Sequence, residues 1–482
     1  MRTPKERVAW LLAIVFLIAA CGGTQSGTTT ASTEPSVTVA TTAPATATTA
    51  PATATTGATT ADPMAMECSP VDYAGGPVTL NFVWWVGGGD TASDTLFTDA
   101  LACFNQRYEG KIEAVVDYVP GGEDYLAKLT TDYAASGQLP IVVAPKRVGD
   151  LAQIWIDNDE LVDLKPYFDA SPEWQDVAIE ESTTFNTIDG KLIAAPDTFV
   201  TPVGLFYNME LLGQAGIDKV PETWDEWWAT LEALDAAGIP AVSLHTQDIG
   251  WSAMLIFEAL VARTPEGVAF LGEKYPTDYN HPFIIEASRD IARVFQFTTP
   301  DAVGGAYTLA ANNFLSGVTA IMPNGPWMIG EFRDPALSSE GFGDKIASGL
   351  YPGPVAVDDA GIQVGDWGIG VGYSPEETAA AAEFVEFMSG PEFTRQRVIR
   401  MGSIAPNLPL PAEDLASLDP LAADLLTLIQ DNNAPILPGY FVQWTSFIQN
   451  ETIVQGLPQL ALGQITPEQF AQQLTDAAQE TP

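Results

Sequence analysis

Histidine is nearly missing from this chain. Only His245 and His281 occur in 482 residues, and cysteine is limited to Cys21, Cys68 and Cys103. No HExxH, CxxC, P-loop or GxSxG spacing is present, which removes the usual sequence basis for zinc hydrolysis, dithiol exchange, P-loop nucleotide chemistry and a serine nucleophile elbow. The GIGVG at 368–372 lacks the spacing of a dinucleotide fingerprint and reads as a tight strand or turn. No metal and no cofactor are expected. Basic side chains are also scarce, 20 against 62 acidic ones, for a formal net charge of −42. That balance argues against nucleic acid or an anionic lipid surface as partner. Paired carboxylates are the enzymatic chemistry left. With so many acids a pair is easy to find, so a secreted carboxylate-pair glycoside hydrolase stays as the alternative and not the expectation.

Long apolar runs are missing too, with one exception. Residues 8–20 (VAWLLAIVFLIAA) follow Arg2, Lys5 and Arg7. The run has the length of a signal-peptide core and is short for a membrane span. It ends in Ile18-Ala19-Ala20-Cys21-Gly22-Gly23, which resembles a bacterial lipobox. That implies a signal peptide over 1–20 and a diacylated Cys21, whose acyl chains anchor the mature protein. From 22 to 66 Thr and Ala dominate, ATTAPAT recurs and no aromatic occurs. Such a stretch buries too little apolar surface to offset its ordering entropy. Residues 21–66 are therefore expected to be a lipidated, disordered linker, up to ~140 Å long if fully extended. With Cys21 assigned to lipid, Cys68 and Cys103 are left either as a disulfide in an oxidising compartment or as two buried free thiols.

The rest is long enough for two large lobes. Residues 78–86 (VTLNFVWWV) read as a strand, broken by Gly87-Gly88-Gly89-Asp90. Residues 91–108 have helical periodicity through Leu96, Phe97, Ala100, Leu101 and Phe104. A strand at 111–118, a helix at 122–135 and a strand at 140–144 follow. This alternation predicts a parallel sheet flanked by helices. Further on, 191–195 and 203–207 read as short strands. Residues 223–237 read as an amphipathic helix opened by a Thr223/Glu226 capping box, and 377–388 and 467–478 as further helices.

Three stretches carry a family resemblance. Residues 188–226 run IDGKLIAAP, LFYNMELLGQAGI and VPETWDEW; residues 313–332 run NFLSGVTAIMPNGPWMIGEF; residues 349–391 hold YPGP, then a strand, then a helix ending MSGP. In order and spacing these resemble the family 1 extracellular solute-binding proteins, the maltose-binding-protein-like sugar-binding components of ABC importers. The resemblance spans most of 76–480. It implies an α/β, two-lobed periplasmic-binding-protein fold (type II-like) with crossing hinge strands and a central ligand cleft. Lobe 1 is expected over 67–198 plus 355–435 and lobe 2 over 199–354 plus 436–482, with crossings near 196–201, 351–354 and 435–440. It further implies a monomer outside the cell membrane that closes on a small-molecule carbohydrate without altering it and docks on ABC permease subunits.

A pyranose presents apolar C–H faces and a rim of hydroxyls, so aromatic planes next to polar groups mark candidate contacts. These are Trp85, Asp90, Lys146, Arg147, Gln247, Asp248, Trp251, Trp327, Asp366, Trp367 and Trp444. Trp84 and Trp85 are neighbours on a strand, so at most one of them is expected to face the cleft. No acidic cluster can be assigned to the cleft, so a polyamine is not favoured over a sugar, although it stays open.

Overall fold

The aromatic, β-branched run near the start of the folded region forms strand β1 (Val78–Val86). It pairs in parallel with β2 (Ile112–Pro120), in register from Val78↔Ile112 to Val86↔Pro120. Helix α1 (Thr91–Arg107) connects them and buries Leu96, Phe97, Ala100 and Phe104, the face its periodicity marks. Helix α2 (Gly122–Ser136) follows and buries Tyr125 and Leu129. Only Val142–Val143 of the expected strand at 140–144 is extended; this is β3. Cys68 and Cys103 are joined in a disulfide, Cα to Cα 5.0 Å, tying the segment ahead of β1 to α1. This computed structural model describes residues 64–86, 91–120, 122–148, 150–358 and 365–480. Cys21, residues 22–63 and Asp90 lie outside them.

The chain leaves this lobe at 196–201. Val200 exchanges backbone hydrogen bonds with Ile404, and the Thr201 hydroxyl bonds Ser403 at 3.0 Å. It then enters β4 (Pro202–Asn208), buried at every position and central to a five-stranded sheet. Helix α3 (Trp224–Ala236) carries the predicted capping box, with both the Thr223 and Glu226 side-chain bonds formed. Helix α4 (Trp251–Val261) is buried from Ser252 onward, and α5 (Pro282–Val294) packs beside it. Strands β5 (Ile321–Asn324), β6 (Ile346–Gly349) and β7 (Ala356–Asp358) all pair antiparallel with β4. The expected parallel arrangement therefore holds for β1–β2 and fails here. β4 carries the chain away from the passage, and its partners run back toward it.

Strand β8 (Gly368–Ile369) returns to pair with β3, followed by α6 (Pro375–Ser389) and α7 (Pro391–Met401). Residues 405–415 stay with the first lobe: the Asn407 amide donates to the Ala178 carbonyl, and Arg395 holds Asp414 at 2.8 Å. Helix α8 (Pro420–Asn432) and strand β9 (Ile436–Pro438) belong to the second lobe, since Leu421 packs with Phe206 and β9 pairs in parallel with β7. Helix α9 (Pro467–Glu480) ends the described chain.

Strand β7 is bound to β4, and β9 pairs with β7. Buried side chains divide the same way, one core around Phe82, Phe104 and Phe384 and another around Leu205, Phe257 and Tyr279.

Candidate ligand-binding site

On the first lobe, β1 ends in two indoles. Trp84 stacks on Trp85 at 4.2 Å between centroids and on Trp367 at 4.1 Å, the latter within 7° of parallel. Phe97 lies 5.2 Å from Trp84 at 11°. Strict alternation would send one indole away, yet both Trp84 and Trp85 line the same cavity. At the strand's end alternation gives way: Val83 and Trp84 are both buried in succession, and Trp85 is half-buried. The cavity measures about 130 Å³ and is lined also by residues 195–199 and by Arg397 on α7.

Charged groups meet the rings here. Lys146, whose side chain is only 10% exposed, lies 3.8 Å from Asp366. Asp197, on the first passage between lobes, joins them. Its carboxylate accepts from the Ser182 hydroxyl at 3.0 Å, and its own N–H donates back to that hydroxyl at 2.8 Å. Burial pushes the Asp197 carboxyl up to about 7; Lys146 pulls against this, Asp366 and Asp358 add to it, and the Ser182 bond opposes it. Asp94 and Arg397 line the same cavity, with the Arg397 guanidinium 4.2 Å over the Phe199 ring. Arg147 sits in the short 3-10 turn Pro145–Val148 after β3. Among the described residues no group of three or more His, Cys, Asp and Glu is placed to hold a metal ion.

The second lobe presents Trp327 in a short turn, Pro326–Met328, directly after β5. A Cβ at Gly325 would collide with the Trp327 ring, so that glycine lets the indole fold back over the chain. Trp251 lies 5.9 Å from Trp327 and 6.2 Å from Tyr307. Asp248, Ile249 and Gly250 all have positive φ (51°, 57° and 64°). For a β-branched residue this is strained, and it aims α4, and with it Trp251, from the turn. The Asp248 carboxylate accepts the Tyr307 N–H at 2.7 Å, and Tyr440 donates to the Ile249 carbonyl at 2.9 Å. Gln247 and Asp248 are exposed at this turn. Among the described residues Trp327 is the partly buried side chain packed against the cores of both lobes.

A family model described as bacterial extracellular solute-binding protein matches residues 99–423. The chain belongs to that family. Solved structures agree on the fold. A Streptococcus pneumoniae solute-binding protein in complex with the blood group A-trisaccharide is 20% identical, with a TM-score of 0.63 over 83% of this chain and 98% of that one. A chitin oligosaccharide binding protein is 21% identical, with a TM-score of 0.66 over 84% and 98%. A probable secreted solute-binding lipoprotein from Streptomyces coelicolor is 18% identical, with a TM-score of 0.60 over 83% and 98%. No curated protein matches the chain in sequence. The fold is the two-lobed periplasmic-binding-protein fold, and the family and these neighbours are binding proteins. Among the described residues no helix is long and apolar enough to cross a membrane.

The candidate contacts of this solute-binding protein fall into three groups. Trp85, Asp366 and Trp367 line one cavity on lobe 1, with Lys146 against Asp366. Gln247, Asp248, Trp251 and Trp327 gather at a turn and a ring pair on lobe 2. Trp444 belongs to neither. It is 1% exposed and packs among Tyr279 (4.9 Å), Tyr440 (5.5 Å) and Phe257 (6.3 Å). Asp94, Asp197, Phe199 and Arg397 line the cavity without having been singled out. The sequence did hold a signal for Asp197 and Phe199, because they lie on the passage segment predicted at 196–201, and a segment between lobes borders the cleft. Arg397, in the middle of a helix after MSGP, carries no such signal. His245 is also not a site group. It is fully buried, bonds Ser252 at 2.8 Å, and burial pushes it down to about 4, so the ring is neutral at pH 7.

Proposed function

We propose that this solute-binding protein captures a carbohydrate, a mono- or oligosaccharide, outside the cell membrane and passes it unaltered to the permease subunits of an ABC importer. The observation that carries the reading is the pairing of flat indole surface with fixed polar groups. Trp84, Trp85 and Trp367 form one stack beside Asp197, Asp366 and Lys146, and Trp251 and Trp327 stand on the other lobe. Indole faces suit the C–H faces of a pyranose, and the half-buried Trp85, Trp251 and Trp327 are the rings that can offer one, Trp84 and Trp367 backing Trp85 from the core, while carboxylates and an ammonium suit its hydroxyl rim. The blood group trisaccharide and chitin oligosaccharide named for two structural neighbours support the same class.

A sugar enters when the lobes part and is enclosed as they close, with the solute that touches both faces favouring the closed state. A signal peptide over 1–20 and a lipid on Cys21 would hold the protein at the outer face of the membrane as a monomer. The lipoprotein description of the Streptomyces coelicolor neighbour is in line with this.

Calorimetric titration and thermal shift against mono- and oligosaccharides, including chitotriose, maltotriose, raffinose and the blood group A trisaccharide, test the reading. At least one is expected to bind at about micromolar Kd or tighter and to raise Tm, since ligand at about 100 Kd adds about 2.7 kcal/mol of stability. A response to spermidine with none to any sugar would refute it, as would reducing ends accumulating from the panel.

A further inference from the structure

One contact between the lobes lies outside the cavity and outside the Trp327 region. The Lys274 ammonium stands 3.9 Å from the centroid of the Phe185 ring. Phe185 ends the helix Glu180–Phe185, which precedes the first passage and is bound to lobe 1. Its neighbour Asn186 accepts the Gly365 N–H, and Ser182 is bonded to Asp197. Lys274 follows the helix Pro265–Leu271 of lobe 2, between the core residues Leu271 and Tyr279. Its loop is pinned there: Tyr275 has φ 52°, and its N–H donates to the Gln443 carbonyl at 2.7 Å. The cation is thus supplied by one lobe and the ring by the other.

We propose that Lys274 and Phe185 form a closure latch, a cation–π contact made when the lobes come together, which holds the closed form without touching the solute. Within about 6 Å of a ring centroid an ammonium is attracted to the π face, and at an exposed site this is worth a roughly two- to fivefold shift in an equilibrium. The lobes lose the contact when they part, so its whole effect falls on the open–closed balance and on the rate at which a captured solute escapes. Lys274 is exposed and is a positioning residue, absent from the cavity lining. The inference needs the two-lobed fold and closure, not the identity of the solute, so it stands or falls separately from the carbohydrate reading.

One measurement on the ligand-free full chain tests it: pulsed EPR between one spin label on each lobe gives the closed-to-open ratio. Lys274→Met and Phe185→Leu are each expected to lower the ratio about two- to fivefold, the double variant no further than either single one, and Lys274→Arg to restore it. Circular dichroism should be unchanged in every variant, and Tm unchanged in the Lys274 variants, because Lys274 is a surface side chain. A ratio that Lys274→Met leaves unchanged, or additive effects in the double variant, would overturn the latch.

Discussion

Trp327 offers the sharpest perturbation of the site. Its ring touches the cores of both lobes and lies beside Trp251. A tryptophan side chain offers about 150–250 Å² of burial. If a bound sugar covers about 75 Å² of one face, about 25 cal/mol per Å² gives about 2 kcal/mol, or roughly thirtyfold in Kd. Trp327→Ala should therefore weaken the best sugar of the panel by more than about tenfold. Trp327→Phe, which keeps a smaller ring, should fall in between. The fold should survive, because the ring is only partly buried, and its loss costs less than the ~3–5 kcal/mol of a fully buried Trp. Titration calorimetry at matched temperature, with Tm recorded for each variant, separates binding from stability. A Kd within about twofold of the parent, in a protein that still melts cooperatively, would refute the placement of Trp327 in the site.

Other perturbations separate core from site. Trp444→Ala removes a ring that is 1% exposed and should cost about 3–5 kcal/mol in denaturant unfolding, while the folded fraction keeps its sugar affinity. Reducing the Cys68–Cys103 bridge, which spans 35 positions, should cost roughly 4 kcal/mol on the chain-entropy model, read as a lower urea midpoint in dithiothreitol. Glu258, fully buried on α4, has its carboxyl pushed well above the usual carboxylate range by burial. The folded state therefore holds a proton that the unfolded state gives up near 4.5. The resulting stability is fully present below that pH and is lost as pH rises through the raised value. Glu258→Gln should flatten this fall in urea titrations between pH 5 and 9; an unchanged slope would count against the assignment. A net charge of −42 should make Tm rise between about 0.05 and 1 M NaCl, as screening relieves self-repulsion.

Local features were legible because their physics is local. The alternation and β-branching of 78–86, the stripe on α1 and the Thr223/Glu226 box each sit within a few residues, and each forms as written. The sequence signal fails where partners are distant. β9 pairs with β7, some 80 positions earlier, and nothing in the six residues 435–440 (PILPGY) encodes that pairing. The burial of Trp444 is illegible for the same reason, since Tyr279 and Phe257, which pack on it, lie far back in the chain. Conversely, Trp84 and Trp85 were read by strand alternation alone. What draws both rings to one cavity is Trp367, which arrives from a returning segment nearly 300 residues later.

The most direct measurement is saturation-transfer NMR on the protein with the best sugar of the panel, followed by spectra of the recovered solute. The account predicts transfer from aromatic protons to the pyranose ring protons, loss of that transfer in Trp327→Ala, and a sugar unchanged after prolonged incubation. Transfer absent for every saccharide that shifts Tm, or a sugar recovered as cleaved products, would contradict it.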